Sequence, residues 1–341
     1  MCIRDRWHGA QHSQQSFYAS SAPLRDHLAI LEGVFERDAQ DRLADREAEV
    51  ARHLQRRLAL YPKERNTGLG TRALAMIDRL HVLAEENAAP LFSVVVTTWN
   101  RPALLADALD SLQAQTCTDF EVVLVNDCGP PVEHLLEGRR FPVTYLRRGR
   151  NQGPAACRNA AHALARGRYL VYLDDDDLFL PDHLQVLAAA IATAPDAVVY
   201  SDAVFVSERV EDGRRVAIAE ERRYLHDAWS PQQLAVDNYI PINTFAWPRA
   251  LAARVGGFDE RLAALEDWEF LLRLAAHARF VHVPRETVQV RMRVSGDVRR
   301  SDQALADYPA LYREIYARHP DQGEEQVRAG RAAQLKRCLL Y

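Results

Sequence analysis

The sequence predicts an α/β protein with a mostly parallel sheet flanked by helices, preceded by a helical N-terminal extension. From about residue 90, short β-rich runs alternate with helical patterns, which favours parallel strands joined by helices. The β-rich runs show little polar alternation, as is typical of strands covered on both faces. The length of 341 residues, at roughly 150 residues per domain, predicts about two domains.

The N-terminal extension, residues 1–89, is predicted to be helical. Apolar residues recur at helical intervals on both sides of a break at residues 61–70: Leu28, Leu31, Phe35, Leu54 and Leu58 before it, and Leu74, Ile77, Leu80 and Ala84 after it. Residues 1–6 resemble the translation of an adapter used in sequencing libraries, so we expect them not to belong to the natural protein. The helices also offer a surface for forming a homo-oligomer.

The second predicted domain, residues 90–300, is the α/β part. Strands are expected at 92–97, 120–126, 143–146 and 169–173, with helices at 103–115 and 155–166 and another opening at Pro181. Beyond about residue 204 the pattern loosens into a polar loop at 208–215 and helices at 248–255 and 268–277. Residues 301–341 are expected to form a C-terminal helical segment, with a helix at 304–318.

Composition excludes several classes of protein. The 47 acidic and 43 basic residues leave a net charge of −4, without the basic excess that drives nonspecific binding to nucleic acid. No apolar run reaches the roughly 18 residues of a membrane-spanning helix, so we expect a cytoplasmic protein, either free or peripheral at the inner membrane face. The five cysteines lack the spacing of a disulfide framework or a zinc site.

Four consecutive carboxylates, residues 174–177, follow the strand expected at 169–173. Adjacent carboxylates repel one another unless a cation, a partner or water neutralises them. Mn²⁺ and Mg²⁺ prefer oxygen ligands and commonly share them between one or two carboxylates and a substrate diphosphate. Because ligands of parallel sheets bind at the carboxyl ends of the strands, this acidic run predicts a metal and diphosphate site. A solvated acidic loop that caps the next helix is the alternative.

Other motifs accompany the acidic run in order: Thr97-Thr98-Trp99-Asn100-Arg101-Pro102, Val125-Asn126-Asp127-Cys128-Gly129, Asn151-Gln152-Gly153-Pro154 and Arg158-Asn159. Together they resemble the family 2 glycosyltransferases of the GT-A fold, a Rossmann-like architecture, over about residues 90–295. The resemblance implies transfer of a sugar from a nucleotide-sugar, with a UDP-sugar expected, to a saccharide, lipid-linked or protein acceptor. The Gln-x-x-Arg-Trp motif of processive synthases is absent, so we expect one sugar per encounter.

The resemblance also implies which residues contact the donor. Nucleotide contacts are expected from Thr97, Asn100, Arg101, Asp127, Arg158, Asp174 and Asp175, and Asp174 and Asp176 would hold Mn²⁺ or Mg²⁺. Alternatives stay open for four residues. Asp127 is otherwise a cap or turn aspartate, and Arg158 is otherwise a surface or salt-bridge arginine. Asp175 and Asp177 are either solvent-facing or structural.

A second motif lies downstream, in Gly256-Gly257-Phe258-Asp259-Glu260 and Glu266-Asp267-Trp268-Glu269-Phe270. By the resemblance, Asp267 takes the proton from the acceptor hydroxyl, and Glu266 is the second candidate. The alternative for Asp267 is a carboxylate that caps a helix or lies in its first turn. Trp268 lies either beside the acceptor or in the core.

Arg291 falls where members of the family close over the diphosphate. Met292 and Arg293 stand where a histidine is frequent, so no third metal ligand is assigned. The resemblance therefore implies an inverting, metal-dependent glycosyltransferase with Asp267 as its base. The alternative is a catalytically silent nucleotide- or saccharide-binding module with a helical interaction region, although such a module has no chemical need for both the acidic run and Asp267.

Overall fold

The computed structural model describes residues 28, 51, 54–56, 58–59, 68–86, 89–211, 214–221, 229–293 and 308–338. The chain divides into two compact units, Met1–Ala88 and Ala89–Tyr341. In the first unit, helix α1 (Gly68–Glu86) starts within the break expected at residues 61–70. The sequence therefore placed the end of that break too late.

Helix α1 contributes an apolar stripe to the first unit. Ala73, Met76 and Ile77, at helical spacing, are buried in one cluster with Leu54 and Leu58. Leu31 and Phe35, on which the prediction of the preceding helix rested, lie outside the described residues.

The second unit contains a nine-stranded sheet with helices packed against it. Its strands are β1 (Phe92–Thr98), β2 (Phe120–Asn126), β3 (Val143–Arg147), β4 (Tyr169–Asp174), β5 (Leu178–Phe179), β6 (Val198–Glu211), β7 (Arg214–Glu221), β8 (Phe245–Pro248) and β9 (Phe280–Arg293). Its helices are α2 (Pro102–Gln113), α3 (Gly153–Leu164), α4 (His183–Thr193), α5 (Pro231–Leu234), α6 (Ala252–Val255), α7 (Glu266–Ala275), α8 (Tyr308–Arg318) and α9 (Glu325–Cys338). Within the described part of the chain, no helix has the length and apolar character needed to cross a membrane.

The strands are ordered β3-β2-β1-β4-β8-β6-β9-β5, and β7 pairs with β6. β3, β2, β1 and β4 are parallel to one another, and β6 and β9 form a further parallel pair. β8 runs antiparallel to both of its neighbours. This mostly parallel sheet confirms the predicted fold class, and the carboxyl ends of β1, β2 and β4 meet at one edge.

Each face of the sheet buries its own apolar cluster. Val94 and Val96 of β1 face the cluster formed with α2 and α4, whereas Val95 packs in the cluster that includes residues of α3 and α7. Apolar side chains on both faces explain why β1 and β2 show no polar alternation.

The structure corrects the sequence in the second half of this unit. Residues 208–215 were expected as a polar loop, but 208–211 belong to β6 and 214–215 to β7, while 212–213 lie outside the described residues. Residues 248–255, expected as one helix, are divided among the end of β8, a 3₁₀ turn and the four-residue α6. Strands β5 to β9 were not expected: β5 and β8 are only two and four residues long, and charged residues interrupt the apolar pattern of β6, β7 and β9. Helix α4 begins at His183 rather than at Pro181.

Candidate active site

Three parallel strands deliver polar residues to the same edge of the sheet. Thr97 of β1 pairs with Asp174 of β4, and Thr98 pairs with Asn126 of β2. The segments after these strands carry the motifs that the sequence singled out, including the acidic run at residues 174–177. Parallel pairing therefore gathers motifs that are distant in sequence.

Asp127, directly after β2, closes the amino end of α3. Its carboxylate accepts hydrogen bonds from the backbone N–H groups of Gln152, at 2.9 and 3.1 Å, and of Gly153, at 2.7 Å. A carboxylate at this position is favoured by the helix dipole. The structure thus shows the capping role for Asp127, and its contact with a nucleoside base stays a prediction.

The loops that follow β1 and β2 approach each other closely. A Cβ atom on Gly129 would lie 2.9 Å from both the backbone nitrogen of Asn100 and Oδ1 of Asn126. The N–H group of Gly129 donates to that same Asn126 oxygen at 2.7 Å. A side chain at position 129 would push the loops apart, so the glycine keeps the exposed Asn100 at the mouth of the site.

The acidic run alternates between partly exposed and buried carboxylates. Asp175 and Asp177 are 0% and 5% exposed, whereas the other two members are partly exposed. The Asp177 carboxylate accepts hydrogen bonds from Nδ2 of Asn243 and from the backbone N–H of Arg291. The solvent-facing alternative is therefore wrong for both Asp175 and Asp177.

Asp175 is held by residues at the end of β1. Its Oδ2 accepts the hydroxyl hydrogen of Thr98 at 2.6 Å, and its Oδ1 lies 2.6 Å from Nη2 of Arg101. Burial raises the pKa of Asp175 to about 7, against the opposing charge of Arg101. Nη1 of Arg101 also lies 2.9 Å from Oδ2 of Asp176, so one guanidinium relieves the repulsion between two carboxylates. Nucleotide contacts by Arg101 and Asp175 stay predictions.

Arg158, from the middle of α3, links the acidic run to the start of α7. Its Nη2 lies 2.9 Å from Oδ1 of Asp174 and its Nη1 lies 2.9 Å from Oε1 of Glu266. Burial alone would lower the pKa of Arg158, but the two carboxylates outweigh burial and the pKa is raised. The structure shows the salt-bridge role for Arg158, and its contact with the nucleotide stays a prediction.

Asp267 lies in the first turn of α7, and both of its carboxylate oxygens accept hydrogen bonds. The backbone N–H of Trp268 donates to Oδ1 at 2.8 Å, and Nδ2 of Asn238 donates to Oδ2 at 3.1 Å. Burial and the like charge of Glu266 raise the pKa of Asp267 to about 6, and Arg158 opposes them. Such a carboxylate is largely ionised at pH 7 yet takes up a proton more readily than an ordinary aspartate, which suits a general base.

Trp268 does not line the site. The side chain is 0% exposed, its Nε1–H donates to the carbonyl of Leu234 at 2.7 Å, and its ring packs against Tyr312 and Tyr316. The expectation that Trp268 lies on the acceptor or diphosphate side is therefore corrected. Of the two roles that the sequence allowed, the structure shows the core.

Arg291, on β9, lies beside Glu208 of β6. Nη1 of Arg291 is 3.5 Å from Oε2 of Glu208, and the Arg291 side chain is 18% exposed. Its contact with a diphosphate stays a prediction.

The partly exposed carboxylates of the acidic run, Asp174 and Asp176, fit a divalent cation. They offer the oxygen ligands that Mn²⁺ and Mg²⁺ prefer. Among the described residues, no group of three or more His, Cys, Asp or Glu side chains is arranged to hold a metal ion. Two carboxylates together with phosphate oxygens and water are a common ligand set for Mg²⁺, so the donor set suits a cation that arrives with a nucleotide.

Sequence reasoning missed Thr98, Asn238 and Asn243. The sequence analysis assigned a nucleotide contact to Thr97 and no role to Thr98. In the structure Thr98 is the residue that binds Asp175, and its side chain points to the opposite face of β1 from that of Thr97. Asn243 accepts the backbone N–H of Asp174 at 2.8 Å, and no local pattern distinguishes such an asparagine from other polar loop residues.

Comparison with known proteins decides the family. Residues 93–248 match the model of Glycosyl transferase family 2. The chain is 32% identical over 213 residues to YwdF, an uncharacterised glycosyltransferase of Bacillus subtilis (strain 168), a match that covers 62% of this chain and 77% of the relative. This chain belongs to the family 2 glycosyltransferases. It is a nucleotide-sugar-dependent glycosyltransferase, and the family membership favours the enzyme over the silent binding module.

Two further proteins resemble this family 2 glycosyltransferase. The PGL/p-HBAD biosynthesis glycosyltransferase of Mycobacterium tuberculosis (strain ATCC 25177 / H37Ra) is 31% identical over 207 residues, 58% of this chain and 75% of that protein. Residues 1–349 of S. aureus TarS, solved with UDP, have a TM-score of 0.55 at 23% identity, covering 73% of this chain and 72% of that one. Against a longer TarS chain, this chain spans 42% of the length. The likeness to TarS confirms the predicted GT-A fold.

Proposed function

We propose that this glycosyltransferase moves one sugar per encounter from a UDP-sugar to an acceptor hydroxyl and inverts the anomeric configuration. The observation that carries the proposal is Arg158, which pairs with Asp174 on one side and with Glu266, the neighbour of Asp267, on the other, each at 2.9 Å. The buried Arg158 side chain thus fixes Asp174, which is expected at the donor phosphates, relative to Glu266 and Asp267, which are expected at the acceptor. A sugar bound between them would have its phosphate and the attacking hydroxyl on opposite faces.

The choice of uridine rests on the fold comparison and on the loops after β1 and β2. S. aureus TarS, which this chain resembles in fold, has been solved in complex with UDP and with UDP-GlcNAc. In this chain Thr97, Asn100, Arg101 and Asp127 belong to the ends of two adjacent parallel strands or to the loops after them, where the base and ribose would lie. The guanidinium of Arg101, beside the acidic run, adds positive charge for the phosphates.

Asp174 and Asp176 would hold Mn²⁺ or Mg²⁺. When bound, such a cation acts as a Lewis acid and offsets the charge that builds on the departing diphosphate. Arg158 contacts Asp174, and Arg101 contacts Asp176, each at 2.9 Å, so both carboxylates are oriented by arginines of this chain.

Asp267 is a better candidate for the base than Glu266, because Arg158 pairs directly with the Glu266 carboxylate. The pKa of Asp267, raised to about 6, leaves it ionised at neutral pH. The Asp267 carboxylate takes the proton of the acceptor hydroxyl while the hydroxyl oxygen bonds to the anomeric carbon and the bond to the diphosphate oxygen breaks. This single displacement inverts the configuration and needs no nucleophile from the protein.

The donor is tested by thermal unfolding with UDP, GDP, CMP or ADP, each with and without Mn²⁺. A ligand at 100 times its Kd stabilises a fold by about 2.7 kcal/mol, which raises Tm by a few degrees. We expect UDP to raise Tm only when Mn²⁺ is present. A shift with another nucleotide instead would change the donor, and an equal shift without Mn²⁺ would remove the metal from the proposal.

Inversion is tested by following the hydrolysis of UDP-GlcNAc by NMR, with water as the acceptor. The sugar of UDP-GlcNAc is α-linked, so a single displacement releases β-GlcNAc first, before mutarotation mixes the anomers. Initial release of α-GlcNAc would show retention and would contradict the proposed role of Asp267.

A further inference from the structure

Asp267 receives a hydrogen bond from a residue far away in the sequence. Nδ2 of Asn238 donates to Oδ2 of Asp267 at 3.1 Å, while Oδ1 of Asn238 accepts the backbone N–H of Ile240 at 3.1 Å. Because an amide oxygen only accepts and an amide nitrogen only donates, the contact with Ile240 fixes which end of the amide faces Asp267. The amide is therefore already oriented toward the carboxylate.

The segment that carries Asn238, residues 229–240, is held from behind by α7 and the C-terminal helices. It contains only the short helix α5, and side chains from the surrounding helices bind its backbone carbonyls or its Asp237 carboxylate. These hydrogen bonds run from Trp268 Nε1 to Leu234, from Arg331 Nε to Ala235, from the Tyr316 hydroxyl to Val236 and from the Tyr312 hydroxyl to Asp237.

Helices α8 and α9 meet this segment at close range. A Cβ atom on Gly330 of α9 would lie 2.7 Å from Cγ2 of Val236. Nε2 of Gln334, also on α9, donates to the hydroxyl oxygen of Tyr312 at 3.0 Å, and Tyr312 is 5% exposed. The contact between Tyr312 and Asp237, the residue before Asn238, is therefore built by both helices together.

We propose that Asn238 is a positioning residue for Asp267, and that the C-terminal helices hold it in place through Tyr312 and Asp237. The inference rests on the proposed function, in which Asp267 is the base. Asn238 fixes the direction of the Asp267 carboxylate, and α8 and α9 thereby become part of the acceptor side of the site.

An amide that donates to a carboxylate stabilises its ionised form. The other charged groups that act on Asp267 are Glu266 on α7, Arg158 on α3 and Asp174 at the end of β4. None of these changes when Asn238 is replaced. Loss of the amide should therefore misdirect Asp267 and raise its pKa, while the donor side stays intact.

Asn238→Asp tests the inference, because it keeps the acceptor for Ile240 and removes the donor to Asp267. With UDP-GlcNAc as donor and water as acceptor, we expect kcat to fall by about 10- to 100-fold at pH 7, with the KM for UDP-GlcNAc changed by less than about threefold. The acid limb of the kcat profile should move to higher pH. Asn238→Ala should show the same direction of change without adding a carboxylate.

Tyr312→Phe tests the role of the helices, because it removes the hydroxyl that donates to Asp237 and keeps the ring. We expect a fall in kcat of a fewfold, again with little change in KM. Tyr169→Phe is the matched control: it removes a tyrosine hydroxyl bonded to the backbone carbonyl of Pro195, at the opposite end of β4. It should leave kcat unchanged.

A second measurement does not need turnover. In protein labelled with [¹³C]aspartate, the carboxyl resonance that disappears in Asp267→Asn belongs to Asp267, and its titration can be followed directly. We expect Asn238→Ala to raise its midpoint by about one pH unit. An unchanged midpoint and an unchanged kcat in the Asn238 variants would overturn the inference. Full turnover in Asp267→Asn would instead contradict the proposed function, in which Asp267 is the base. The two failures are distinguishable because they are measured in different variants.

Discussion

The part of the site proposed to bind the donor, residues 92–177 (the donor side), and the part proposed to bind the acceptor, residues 229–240 and 256–277 with 308–338 (the acceptor side), are built in different ways. On the donor side, the candidate residues Thr97, Asp127 and Asp174 lie at the end of a buried parallel strand or immediately after it. On the acceptor side, Asp267 depends on Asn238, 29 residues away, and that segment depends in turn on the C-terminal helices. Strand register places the candidate residues of the donor side, whereas packing between distant segments places those of the acceptor side.

This difference indicates where the enzyme can vary. A nucleoside diphosphate presents similar charges whichever sugar it carries, so strand ends with fixed register can serve many donors. The acceptor side consists of loop segments and helices, and its proposed site residues, Asn238 and Asp267, belong to none of the strands. Substitutions should therefore separate the two sides by what they affect: binding of the donor or the reaction with the acceptor.

Asp267→Asn should have the largest effect and should separate the two sides most clearly. The amide cannot accept the proton of the acceptor hydroxyl, so turnover should fall by about 10²- to 10⁴-fold while binding of UDP with Mn²⁺ is retained. Turnover and the UDP-dependent rise in Tm are the two measurements. Asp110→Asn, at an exposed carboxylate paired with Arg139 far from the motifs, is the charge-matched control. Loss of UDP binding in Asp267→Asn would show that the two sides are not separable.

Arg158→Gln should disturb both sides at once, because Arg158 contacts both Asp174 and Glu266. Removing one member of a buried ion-pair network leaves the other charges unpaired, which typically costs about 3–5 kcal/mol. We expect a loss of stability of this order in denaturant unfolding, measured in metal-free buffer. Arg328→Gln, at an arginine that is 64% exposed and paired with Asp321, should change stability by less than about 1 kcal/mol. Equal stabilities of the two variants would show that the ion pairs of Arg158 do not stabilise the contact between the donor and acceptor sides.

The same contrast explains how much the sequence could predict. β1, β2 and β4 were placed within one residue, because buried parallel strands are marked by apolar runs, and the positions of Asp174 and Asp127 followed directly from them. The alternation of the acidic run was not predicted, because four identical side chains do not show which of them face inward. That depends on Thr98 and Asn243, which other elements contribute.

On the acceptor side the sequence predicted α7, although two residues too late at both ends, and the place of Asp267 at its start. It left Trp268 undecided, because an aromatic residue at the start of an amphipathic helix suits a core or a ligand equally. The burial of Trp268 is decided by Tyr312 and Tyr316, whose helix follows about 40 residues later. Contacts of this range leave no local pattern, and for that reason Asn238 was missed as well.

Asp175→Asn should change how stability depends on pH. The pKa of Asp175 is raised to about 7 in the folded protein, above its unfolded value, so the folded state binds the extra proton. This group therefore makes stability fall as pH rises from about 4 to about 7, by about 1.4 kcal/mol for each unit of pKa shift. Relative to the unaltered protein, the variant should gain stability as the pH of denaturant unfolding is raised from 5 to 8. A constant difference between the two proteins across this range would contradict the raised pKa.

Gly257→Ala should have the smallest effect, and it tests a further contact, besides that of Arg158, between the donor and acceptor sides. Asn159, on α3, binds the backbone of Phe258 through both ends of its amide: Oδ1 accepts the N–H group at 2.7 Å and Nδ2 donates to the carbonyl at 2.9 Å. A Cβ atom on Gly257 would lie 2.4 Å from that Oδ1, so Asn159 would have to move and lose these hydrogen bonds.

The expected loss of stability is about 1–3 kcal/mol, as for other insertions into a packed site. Gly149→Ala is the matched control, because a Cβ atom there meets nothing within 4 Å, and it should be neutral or stabilising by up to about 1 kcal/mol. Since α7 follows the Gly257 loop directly, Gly257→Ala should also lower turnover more than it lowers UDP binding. Equal losses in turnover and in UDP binding would mean that α3 holds the donor and acceptor sides as one rigid piece. The two sides would then differ in the contacts that place their residues but would not move independently.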